Sequence, residues 1–275
     1  ASDYPNIPRL VTSDGFVLGQ ALLRAMLGKA ITLAENNDPD SVNIPRLGEG
    51  WVAALERAES GKQTRIKLLS DWTPNTEDGF YYEDDDDDEY GTNNGYLYFN
   101  DNHVLVINLN GHKIDRNLDE AKSDGMVFYL NDADAKLTIK DSVGGGKITG
   151  GNNTDEGGAF HMDRGSLYIE GGEISGNKAS TGAGIFAGSQ NNLCVYGGKI
   201  TGNIATVNGG GIYGDDWGPF YFGGSAVISG NTVNGAANNL YLEDDDVVIR
   251  RTAGQQNGLI PNVPFEDGAS IGIST

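Results

Sequence analysis

One short phrase recurs along this chain, and it restricts the fold more than any other feature. It reads Gly146-Lys147-Ile148-Thr149-Gly150 first, then Gly171-Gly172-Glu173-Ile174-Ser175-Gly176-Asn177, then Gly197-Gly198-Lys199-Ile200-Thr201-Gly202-Asn203, and in looser form Val227-Ile228-Ser229-Gly230-Asn231. The marker isoleucines Ile148, Ile174, Ile200 and Ile228 stand 26, 26 and 28 residues apart. A fixed period of this length, built from short β-like pieces, specifies a solenoid in which each coil packs on its neighbours. The 41 glycines belong to this pattern, because they fall at repeating positions and mark obligatory turns.

From about residue 96 the inward positions of the coils can be aligned. One apolar column runs Leu109, Ile139, Ile169, Val195, Phe222, Ile249. A second runs Ile114, Ile148, Ile174, Ile200, Ile228, and a third Phe128, Phe160, Ile185, Ile212, Leu240. Three columns predict three short strands per coil, wound as parallel sheets with coils about 4.8 Å apart. Asn177, Asn203 and Asn231 each follow a second-column isoleucine by three residues, and Asn152 follows by four. Stacked asparagines at one turn can hydrogen-bond along the axis, a structural role.

Residues 1–62 read differently. The stretch Phe16 to Leu27 has helical composition, and Trp51, Ala54, Leu55 and Ala58 make an amphipathic stripe ended by Gly61. The expectation is an α-helical cap over 1–62, which would cover the open edge of a β-helix spanning 63–275. Thr64 to Ser70 alternates as its first strand.

The repeats, together with Val106 to Asp115 and Leu137 to Ser142, resemble the right-handed parallel β-helix domains of large bacterial cell-surface proteins. They are also similar to the repeats of polymorphic outer-membrane, autotransporter-like adhesins. The resemblance covers roughly residues 96–250 and carries no catalytic residues. It implies an exported, extracellular or surface-displayed protein used for adhesion or display.

Charge narrows the partners. With 39 acidic against 19 basic residues, the net charge of −20 disfavours nucleic acid and anionic lipid. No apolar run reaches the length of a membrane span. A single cysteine, Cys194, excludes an intrachain disulfide. Alternation places it outward and partly exposed, in a first-sheet column Asn108, Thr138, Tyr168, Cys194, Tyr221, Val248.

The same alternation exposes a second column. The residues following the third-column apolar positions are Tyr129, His161, Phe186, Tyr213 and Tyr241. An aromatic stripe at about 5 Å per coil suits stacking on sugar rings, but the first reading is structural: plain cross-strand stacking, or a place beneath a packed loop or the N-terminal helices. The expected partner is a host or environmental glycan or a surface protein, bound without catalysis. A spacer rod with no ligand is a further alternative.

An enzymatic alternative, a polysaccharide lyase or glycoside hydrolase, would use acids on an outer face. Asp163 and Asp215, with Asp216 beside the latter, follow third-column strands two coils apart. About 10 Å would separate them, near the upper limit for an inverting carboxylate pair. Other candidates are Asp155, Glu156, Arg164 and Trp217. Finally, Glu83 to Glu89 holds Asp84, Asp85, Asp86, Asp87 and Asp88, and Glu243 to Asp246 is a shorter acidic run. Each is read as a solvated loop first and a Ca²⁺ site second, because the spaced pattern of a defined calcium loop is missing. No other cofactor is expected.

Overall fold

The computed structural model describes residues 41–44, 63–74, 95–99, 104–189, 191–215, 219–243, 249–250, 266 and 268–272. These form an all-β parallel solenoid of about five coils. Most of its strands are short, ending at turns rich in glycine and asparagine. The second column shows this most plainly. Lys113–Asp115, Lys147–Thr149, Glu173–Ser175, Lys199–Thr201, Val227–Ser229 and Ser270–Ile271 pair in parallel, with Ile114, Ile148, Ile174, Ile200, Ile228 and Ile271 in one file. The third column also stands as aligned, and Leu97 extends it below Phe128.

The first column differs from its expected register at both ends. Ile107, not Leu109, pairs with Ile139, and Ile249 pairs with Phe220 rather than lying beside Phe222. The outward column shifts with it, so Val106 takes the place given to Asn108 beside Thr138, and Arg250 pairs with Tyr221. Each slip is two residues, which leaves inward residues inward. Ile107 and Leu109 are both buried.

First and third columns are joined into one 12-stranded sheet, because Phe128–Lys140 and Phe160–Ile169 run through the corner between them. A four-stranded sheet that the apolar columns do not announce comprises Lys178–Thr181, Ile204–Asn208, Thr232–Val233 and Ala236–Ala237. It buries only a small cluster of Ala179, Ala183 and Ala205 against Val233.

The main core is one continuous cluster from Ile66 to Ile228 and Leu240. Phe128 and Phe160 stack inside it, with centroids 4.9 Å apart and planes 6° from parallel. Buried at one turn, Asn177, Asn203 and Asn231 form the expected ladder. Asn177 Nδ2 donates to Asn203 Oδ1 at 3.0 Å, and Asn203 Nδ2 to Asn231 Oδ1 at 2.9 Å. Asn152 is not part of it. The ladder position of its coil is Gly151, whose N–H donates to Asn177 Oδ1.

Both helix candidates of the N-terminal segment lie outside the described residues. Within that segment Ser41–Ile44 is a strand, paired in parallel with Arg65 to Leu68. Among the described residues no helix is long and apolar enough to cross a membrane.

Candidate functional site

The outward aromatic stripe stands in register. Tyr129, His161, Phe186, Tyr213 and Tyr241 are direct neighbours on successive coils, and Tyr98 precedes Tyr129. Successive ring centroids from Tyr98 to Tyr241 are 5.2, 4.9, 5.2, 5.3 and 5.4 Å apart. Phe186, Tyr213 and Tyr241 are stacked within 7° and 11° of parallel. At the other end the rings tilt, and Tyr96 packs edge-on against Tyr98 and Tyr129.

This geometry decides which part of each ring meets solvent. Stacked along the solenoid axis, Phe186, Tyr213 and Tyr241 cover one another's faces and turn their edges outward. Phe186 is 6% exposed and Tyr213 8%, while Tyr129, His161 and Tyr241 are half-buried.

A file of acids runs beside the ladder, two residues further along each strand. Gly188 N–H donates to Met162 O, Asp215 N–H to Ala187 O and Glu243 N–H to Gly214 O, at 2.8, 2.9 and 3.0 Å. These bonds place Asp163, Gly188, Asp215 and Glu243 at equivalent points of successive coils. Asp163 and Asp215 are therefore two coils apart, about 10 Å. The acids cap the phenols by one rule: a tyrosine hydroxyl reaches the acid of the next coil. Tyr129 donates to Asp163, and Tyr213 to Glu243. Burial and then these carboxylates raise the pKa of both tyrosines, because each disfavours phenolate.

His161 is the polar rung. Its Nδ1 lies 3.0 Å from the Glu156 backbone oxygen and its Nε2 3.0 Å from Asp163 Oδ1. Burial is the largest influence on its pKa and favours the neutral ring. The hydrogen bond and charge of Asp163, with the carbonyl and charge of Glu156, outweigh it, so the pKa is raised. Asp163 is correspondingly held below the usual carboxylate range, first by the bond from His161, against burial, and then by the bond from Tyr129. Glu156 is shifted the other way. Burial raises its pKa, and the charges of Asp163, Asp155 and Asp215 add to that against the opposing charge of His161.

The remaining candidates divide as follows. Asp155 and Arg164 are exposed beside this cluster. Asp216 and Trp217 lie outside the described residues, as do the run Asp84 to Asp88 and Asp244 to Asp246. Among the described residues no three His, Cys, Asp or Glu side chains are grouped to hold a metal ion. Cys194 does face outward but is wholly buried, contrary to the expected partial exposure. Tyr168 and Tyr221 flank it on neighbouring coils, and Tyr196 packs against it. Burial pushes its thiol up to about 12, against a lowering hydrogen bond with Tyr196, so it is no nucleophile.

Sequence reasoning missed Tyr98 as the sixth ring and Glu243 as a phenol cap. The signal for Tyr98 was Leu97-Tyr98, an apolar–aromatic pair like Phe128-Tyr129. Compared with known proteins, the chain matches no family model, no curated protein and no solved structure.

Proposed function

We propose that this chain is a module of an exported bacterial surface protein that presents one face of a right-handed parallel β-helix, three strands to the coil, for adhesion or glycan binding without catalysis. The observation that carries the reading is the unbroken outward file of aromatic rings from Tyr98 to Tyr241, bordered by Asp163, Asp215 and Glu243. Rings recur once per coil, at about the spacing of consecutive sugar units, with phenol hydroxyls and carboxylates on most but not all coils. From Phe186 to Tyr241 the ring faces are turned onto one another, so contact with a glycan there is through ring edges and hydrogen bonds rather than face stacking. The bacterial surface setting is supported by the resemblance of the repeats, and right-handed winding by the strong preference of parallel β crossovers.

The test is a printed glycan array probed with the purified chain. The expected result is retention of a defined glycan class, weakened at least tenfold by Tyr241→Ala and by Asp215→Ala with unchanged circular dichroism. A blank array would leave the spacer rod as the better reading.

One observation favours a second reading, a lyase or hydrolase acting on polysaccharide. Glu156 and Asp163 flank His161 with pKa values shifted in opposite directions, the arrangement that separates an acid from a base. Product release from acidic and plant-type polysaccharides, abolished by Asp163→Asn, would establish it. Absence of turnover across that panel removes it.

A further inference from the structure

His161 faces two groups that only accept hydrogen bonds. The Glu156 carbonyl, 3.0 Å from Nδ1, has no proton to give. Asp163, 3.0 Å from Nε2, is an ionised carboxylate whose other oxygen already accepts from the Tyr129 hydroxyl. A neutral imidazole has a single N–H and can satisfy one of the two; the imidazolium satisfies both.

The surroundings agree with a cation. Tyr129 on the coil before and Phe186 on the coil after hold the ring at centroid distances of 4.9 and 5.2 Å, with planes at 75° and 50° to it. Charged groups approach from three directions. Asp163 and exposed Arg164 belong to its own strand, Asp155 and Glu156 to the segment before it, and Asp215 to the second coil beyond. The acids outnumber the arginine, and the His161 side chain is more enclosed than that of Asp163.

We propose that His161 is a pH switch built into the aromatic file: as imidazolium it bridges Asp163 to the Glu156 carbonyl and offsets one of the negative charges beside that file, and loss of its proton opens one bond and leaves the file more negative. The segment itself stays in place, because Asn153 Nδ2 also donates to the Glu156 carbonyl at 2.6 Å and Gly157 N–H donates to Thr181 O at 2.9 Å. What changes is the orientation of one ring and the charge of the face.

The sign follows from the direction of the shift. The folded pKa is raised above its unfolded value, so the stabilisation is complete below the ordinary histidine range. It is lost as pH rises through the raised folded value. The inference requires no ligand and stands apart from the proposed glycan binding.

Nitrogen-15 and ring-proton NMR of the full chain tests it, with the His161 signals assigned by their loss in His161→Gln. If that variant does not fold, His103→Gln and His112→Gln assign them by subtraction. The expected result is two protonated ring nitrogens at neutral pH and a midpoint above about 6.5. Tyr129 and Phe186 ring signals should move with the same midpoint. Asp163→Asn should lower the midpoint, because it removes the charge that favours the imidazolium. A midpoint at or below the ordinary value, or ring signals of Tyr129 and Phe186 that ignore the titration, overturns the proposal.

Discussion

Asn203 shows how much a single polar residue can contribute to a solenoid. It is completely buried, and all four of its side-chain hydrogen-bonding positions are used. Oδ1 accepts from the Asn177 backbone N–H and from Asn177 Nδ2, while Nδ2 donates to Asn231 Oδ1 and the Ile174 carbonyl. A buried amide so satisfied ties three coils together. Asn203→Ala removes these bonds and leaves the buried Asn177 N–H without its partner. An orphaned buried group costs about 1–3 kcal/mol, so a loss of that size is expected, read as a lower urea midpoint with unchanged slope. The ladder was legible in the sequence because its asparagines recur three residues after an inward isoleucine. The phenol caps were not. Tyr129 meets Asp163 and Tyr213 meets Glu243 across 34 and 30 residues, and such pairs emerge only when the register of two coils is already known.

At the scale of the strand and its turn, the second and third columns could be aligned from the chain because each strand carries one large apolar residue between glycine-rich turns. The first column could not be aligned at its ends. Val104–Asn108 continues into Leu109, offering inward residues at both Ile107 and Leu109. Alternation of period two cannot distinguish registers that differ by two. The four-stranded sheet escaped notice for another reason: Ile204–Asn208 buries little besides Ala205, so it leaves no apolar file to read. Glycine marks tight contacts between coils. A Cβ on Gly211 would stand 2.3 Å from the Asn239 carbonyl oxygen and 2.7 Å from Asn231 Nδ2. Gly211→Ala therefore pushes a turn off the end of the asparagine ladder. The expected loss is about 1–3 kcal/mol, as for overpacking elsewhere. It should appear as a lower melting temperature together with faster amide exchange at Asn231.

Across the whole molecule, stability is a sum of coils and of the interfaces between them, since each coil touches only its neighbours. The core has no centre. It is a column whose members, such as Ile174, Ile200 and Ile228, are equivalent and fully enclosed. A lesion in such a column should therefore be felt locally and fade with distance, unlike one in a globular core. Ile200→Ala makes the test. Truncating a buried isoleucine costs about 2–5 kcal/mol, here charged to the two interfaces that Ile200 makes with Ile174 and Ile228. Hydrogen exchange should show the greatest loss of protection in Glu173–Ser175, Lys199–Thr201 and Val227–Ser229, and less in Lys113–Asp115, three coils away. The aromatic file should respond in the same order, with Phe186 and Tyr213 affected before Tyr98. Uniform loss of protection from Leu97 to Leu242 would mean that the solenoid unfolds as one cooperative body, and the one-dimensional description would then fail for this chain.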